Sequence, residues 1–284
     1  MKTHAPRSNF RRREGDVTEA PVIDPWLSLL GLSLLMAGRP ATSPGDPGPS
    51  PECPGDMRLV DGIHYDSVSH VCVDPPPAPQ RAGNLKARDT HCFHYAEDVS
   101  VLEGPAVPIR VCMDQYEAPN RRGASPIVMA SYRSAERWCA KAGKRVCGER
   151  EWELACEGPE HLPLSYGWAV NTNLCNSNKG WKAVDFAKFD GPRDAAVKEA
   201  SKLWQGAPSG RYASCVSPFG IYDMNGNVEE WVTSRESREW PGALMGGCWA
   251  KPWTGCRGTN DAHQPTFAFY ETGFRCCRSP HANP

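Results

Sequence analysis

Apolar and polar positions fall into four kinds of pattern along this chain. Residues 26–38 (WLSLLGLSLLMAG) are almost wholly apolar, a run too short for a membrane span, which needs about 20 residues, and matched to the hydrophobic stretch of a signal peptide. Residues 57–65 (MRLVDGIHY) alternate as a strand does. Two stretches carry helical spacing. In 131–143 (SYRSAERWCAKAG), Ser131 serves as N-cap, Ala135, Trp138, Cys139 and Ala142 share a face, and Gly143 is the stop. In 148–158 (GEREWELACEG), Gly148 caps, Trp152, Ala155 and Cys156 form the inward stripe, and Glu149 and Glu151 favour the positive helix end. Residues 160–217 hold too many turn formers for long regular elements, and 39–55, with six prolines, reads as a linker.

Composition sharpens this outline. Thirty-two basic residues against thirty-three acidic ones leave no field that would call for nucleic acid, and a monomer is expected. With 26 Gly, 27 Pro and 10 Trp in 284 residues, a loop-rich α+β domain suits the chain better than a bundle. Thirteen cysteines with no CxxC pair indicate disulfides formed after export to a periplasmic or extracellular space, with at least one thiol left over. Cys53, Cys72, Cys92 and Cys112 are expected to form two local bridges, and Cys175 to find Cys215. His91, Cys92 and His94 are too close together to wrap one zinc.

The densest chemistry lies in 218–231 (PFGIYDMNGNVEEW). Asn225-Gly226 predicts a type I′ hairpin, and Asp223, Asn225, Asn227 and Glu230 offer hard oxygens of the kind calcium prefers. In order along the chain come MRLVDG, VCMDQYEAPN, the two helices, PFGIYDMNGNVEEW, GGCW (246–249), CRG and GFRCC (273–277). This order resembles the formylglycine-generating enzyme, or sulfatase-modifying factor, family over residues 56–280. The resemblance implies a C-type-lectin-like α+β fold with little regular structure, after a targeting segment at 1–38 and the linker at 39–55.

It also implies a calcium site of Asp223 and Glu230 side chains with the Gly226 and Val228 carbonyls. A second would use Asn176 with the Ser177 carbonyl. The family oxidises a substrate cysteine to formylglycine with O₂ through two copper(I)-binding cysteines, since soft thiolates select Cu⁺. Cys256 matches the second of these. Lys251 stands at the first, and Cys248, three residues earlier, is the remaining thiol that could partner Cys256. The family bridge between the first helix and the domain end implies Cys139 with Cys276. Asp261 stands where the partner of Cys156 would be, leaving Cys156 to pair with Cys277 or Cys256 or to stay free. His263, Arg257 and Asn260 are candidates for ligand recognition. Two readings remain at this point: a copper-dependent oxidase acting on a sulfatase-type cysteine peptide, or a non-catalytic module binding a protein, peptide or glycan.

Overall fold

A computed structural model describes residues 48–75, 92–251 and 254–281. The apolar run at 26–38, most of the linker and His91 lie outside these residues. Strands β1 (Met57–Asp74) and β2 (His94–Asp114) form a long antiparallel pair; α1 (Tyr132–Lys141), β3 (Arg145–Val146) and α2 (Glu149–Glu157) follow. After the short α3 (Phe186–Phe189) and α4 (Arg193–Leu203) come β4 (Glu229–Thr233), β5 (Gly242–Met245), β6 (Thr259–Asn260), β7 (Thr272–Phe274) and β8 (Cys276–Arg278). One sheet has the order β1-β2-β8-β3, the other β6-β5-β4-β7, with β4 and β7 parallel. The rest of the described residues form loops, so the architecture is the loop-rich α+β type expected.

Helix α2 lies between the sheets. Trp152, Leu154, Ala155 and Cys156 pack against Val60, Val111 and Met113 on one side and Val232, Ala243 and Met245 on the other. Gly148 caps it as expected, and Glu151 reaches back to accept from the Gly148 amide at 2.7 Å. In α1, Ser131 is the N-cap with Ser134 as its reciprocal partner, and Gly143 follows the last turn at φ 67°. Ala135 and Cys139 face inward; Trp138 and Ala142 do not.

Six disulfides replace the regular layers a loop-rich chain lacks. Cys53–Cys112 and Cys72–Cys92 staple the long β1–β2 pair. Cys139–Cys276 and Cys147–Cys277 tie α1 and the turn before α2 to β8. Cys156–Cys256 and Cys175–Cys215 hold α2 and the central loops. Cys248 is the free thiol among the described residues, and it is buried. No described helix is long and apolar enough to cross a membrane.

Candidate functional site

Residues 218–231 form a hub and not a hairpin. Asp223, Gly226 and Asn227 adopt positive φ (60°, 85° and 55°), and Asn225 does not, so the expected type I′ turn centred on Asn225-Gly226 is not formed. The backbone bonds explain the difference. Gly226 donates to the Gly246 carbonyl, Asn227 to the Asn176 carbonyl, and Trp249 to the Asn227 carbonyl. A Cβ on Gly226 would sit 2.5 Å from the Asn176 oxygen, so the loops meet there only because the residue is glycine. Asn225 ties two further loops: its Oδ1 accepts from the Ser165 amide at 2.7 Å and its Nδ2 donates to the Thr254 carbonyl at 3.1 Å.

Under this hub sits a buried charge cluster of Glu117, Asp223, Glu230 and Arg275. The Arg275 guanidinium donates Nε and Nη2 to the two Glu230 oxygens at 2.6 and 2.5 Å, and the Trp152 indole donates to Glu230 at 2.8 Å. Glu117 accepts from Asn227 Nδ2 at 2.7 Å and from Ser209 Oγ at 2.5 Å; Asp223 accepts from the Gly210 amide at 2.6 Å. Three carboxylates share one guanidinium. Burial, then the Asp223 and Glu230 charges, therefore push Glu117 well above the usual carboxylate range, and burial lifts Asp223 to about 7.

The calcium ligands expected here do not fit an ion. Both Glu230 oxygens face a cation already present, so Asp223 is left with the Gly226 and Val228 carbonyls, short of the six to eight oxygens calcium takes. At the second expected position, Asn176 Oδ1 and Ser177 Oγ are buried without hydrogen-bond partners, so oxygens are on offer there. Yet the small polar cleft around them is lined by Thr172, Asn173, Asn178 and Tyr212 with Lys179, and no carboxylate. Among the described residues no three His, Cys, Asp or Glu side chains are arranged to hold a metal ion.

The expected copper pair is not assembled either. Cys256 is bridged to Cys156 on α2, which settles the open pairing of Cys156 and removes Cys256 as a redox thiol. Cys248 donates its S–H to Glu271 Oε2 at 3.4 Å, and burial, with the Glu271 charge beside it, pushes its pKa well up. A thiol held protonated is neither a nucleophile nor a soft ligand. Lys251, at the other family position, donates to Glu229 Oε1 at 2.5 Å and lies 3.7 Å from Glu271 Oε1. Burial works against its charge, but the Glu229 and Glu271 carboxylates together hold its pKa above that of a free lysine.

Arg257, His263 and Asn260 do not share a ligand pocket. Arg257 donates to both Glu157 oxygens (2.7 and 2.6 Å) and to the Tyr65 carbonyl. His263 stacks on Phe267 with centroids 3.8 Å apart, and Asn260 pairs with Leu244 across β5 and β6. Arg257 belongs instead to a network that sequence reading missed. Glu149, Glu153 and Glu157 are all buried, and their partners come from β1, from the residues just after α2 and from loops much further along the chain. Arg238 meets Glu149 at 2.6 Å, Arg235 and His64 (2.7 Å) meet Glu153, and His161 meets Glu157 at 3.0 Å. The signal available was the i, i+4, i+8 spacing of three acids, which puts Glu149, Glu153 and Glu157 along one side of α2.

Comparison with known proteins follows the same outline. Formylglycine-generating enzyme of Mycobacterium tuberculosis is 30% identical over 114 residues, 40% of this chain and 34% of that protein. Inactive C-alpha-formylglycine-generating enzyme 2 of Bos taurus is 28% identical over 159 residues, 53% of this chain and 49% of that protein. Hercynine oxygenase of Mycobacterium tuberculosis is 32% identical over 117 residues, 41% and 23% of the two chains. The chain thus spans about half or less of the curated relatives it matches. Among solved structures, PvdO from Pseudomonas aeruginosa aligns over 84% of this chain and 100% of its own at 17% identity, with a TM-score of 0.47. The sulfatase-modifying factor enzyme 1-like domain matches residues 106–280, more than half of the sequence, and the chain belongs to that family.

Proposed function

We propose that this chain is a non-catalytic binding module of the sulfatase-modifying factor family, exported to an oxidising compartment, whose stapled loops present a surface to a protein, peptide or glycan. The observation that carries this reading is the Cys156–Cys256 bridge. It removes one of the two sulfurs that cysteine oxidation needs, while the other position holds the Lys251 ammonium and the protonated Cys248 thiol. A relative named as an inactive formylglycine-generating enzyme supports the reading. Six disulfides support export, because cytosolic thiols stay reduced. Incubating the full chain with copper, O₂ and an excess of a sulfatase-type cysteine peptide, whose surplus thiols supply the two further electrons that O₂ takes up, tests it. The proposal expects no aldehyde in the peptide; stoichiometric formylglycine would overturn it.

A further inference from the structure

A groove of about 450 Å³ opens between the end of α1, the loop after β2 and the start of β1, well within the roughly 300–1,000 Å³ of small-ligand sites. Its apolar wall carries Trp138, 37% exposed on the face of α1 that the helical pattern had assigned to the core. The indole is steadied by an edge contact with Phe274, at 6.3 Å between centroids, and by the Cys139–Cys276 bridge one residue away. A large aromatic held rigid in a concavity loses little entropy on binding.

The opposite wall is polar and built. Asn120 Nδ2 donates to Asp56 Oδ2 at 2.9 Å and to Asp114 Oδ1 at 3.0 Å, and Lys144 Nζ donates to Asp114 Oδ1 at 2.6 Å. Asp114 is buried, and burial raises its carboxyl pKa despite the Lys144 charge, so it serves as the fixed floor. Asp56 lies at the rim with half its side chain in solvent, and Lys141 stands opposite on α1, exposed.

We infer that this groove is a carbohydrate site for a neutral pyranose unit stacked on Trp138, with hydroxyls shared between Asp56 and Lys141. The charge count selects the ligand class. Two aspartates against two lysines leave no net charge to draw an anion or a cation. What remains is an aromatic face beside an exposed carboxylate on one rim and an exposed ammonium on the other, which matches a sugar. Its axial C–H bonds carry partial positive charge toward the negative face of the indole, while its hydroxyls both give and accept hydrogen bonds. This assignment deepens the reading of the chain as a binding module and rests on it. Formylglycine production would defeat that reading, whereas a silent sugar panel with the Cys156–Cys256 bridge intact defeats only this one.

The test uses the full, oxidised chain with neutral trimers of β-linked glucose, mannose and N-acetylglucosamine, a glucuronic acid trimer, and a high-mannose glycopeptide. Saturation-transfer NMR and calorimetry are the readouts. A neutral trimer or the glycopeptide binds, and which of the two binds tells a free oligosaccharide from a protein-linked glycan. Trp138→Ala lowers the association constant roughly tenfold, and Trp138→Phe restores most of it. Lys141→Ala weakens binding without changing the melting temperature, which guards against misfolding of the tryptophan variant. Binding that Trp138→Ala and Lys141→Ala leave unchanged overturns the inference. So does preference for the uronic acid trimer, or no binding to any member.

Discussion

Two buried clusters occupy the places where metals were expected, and they are closed in different ways. Around Arg275 three carboxylates surround one fully buried guanidinium whose five donors also reach the Asp114 and Tyr222 carbonyls. Around Lys251 two carboxylates and a thiol surround an ammonium whose side chain is 15% exposed. In both, a basic side chain stands where an ion was anticipated. The guanidinium joins the two sheets through Glu230 on β4 and its own position between β7 and β8, whereas the ammonium only plugs a loop. The first cluster is therefore a structural keystone, and the second fills the position where the copper pair was expected.

The difference ranks the expected losses. Arg275→Met leaves Glu230 buried without its partner and is expected to cost about 3–5 kcal/mol, read by denaturant unfolding. A loss below that of Lys251→Met would reverse the ranking. Replacing Cys156 and Cys256 together with serine removes a bridge that closes a hundred-residue separation and should cost about 2–5 kcal/mol on the same measurement. Lys251→Met leaves the buried Glu229 and Glu271 facing each other where the 15% exposed lysine side chain had stood, with an expected loss of about 1–3 kcal/mol and no gain of copper binding.

Smaller effects probe the Arg275 cluster through pH and metal. Asp223 has a raised pKa, so its stabilisation is complete below the unfolded carboxyl value near 4 and is lost as pH rises through about 7. The melting temperature of the native chain should fall between pH 5.5 and 8 more steeply than that of Asp223→Asn; parallel curves would contradict the charge excess. Adding EDTA at pH 7 should leave the melt unchanged, because Glu230 already has its cation. A drop would place calcium on the Asp223 loop or beside Asn176.

The elements legible in the sequence were those fixed locally. Ser131 caps α1 through its own side chain, Gly143 ends it by adopting φ 67°, and Trp152 marks the core face of α2. The order of motifs carried the fold, and the resemblance carried Cys139–Cys276. What failed was decided at long range. Asn225-Gly226 is a local hairpin signal, overruled because the Gly246 and Asn176 carbonyls take the backbone donors. Glu149 was legible only as a charge at the helix start, and Glu153 and Glu157 drew no reading, because their partners Arg235, Arg238 and Arg257 lie some 80–100 residues onward. Glu230 looked like an ion ligand for the same reason: nothing near it in sequence announces Arg275.

Peptide mapping of the unreduced, alkylated chain tests the central claim most directly, since the closure of the copper position rests on sulfur connectivity. The account predicts one alkylated cysteine, Cys248, exposed only on unfolding, and a crosslinked peptide joining Cys156 to Cys256. Free thiols at both Cys248 and Cys256, with one Cu⁺ retained per chain, would contradict it.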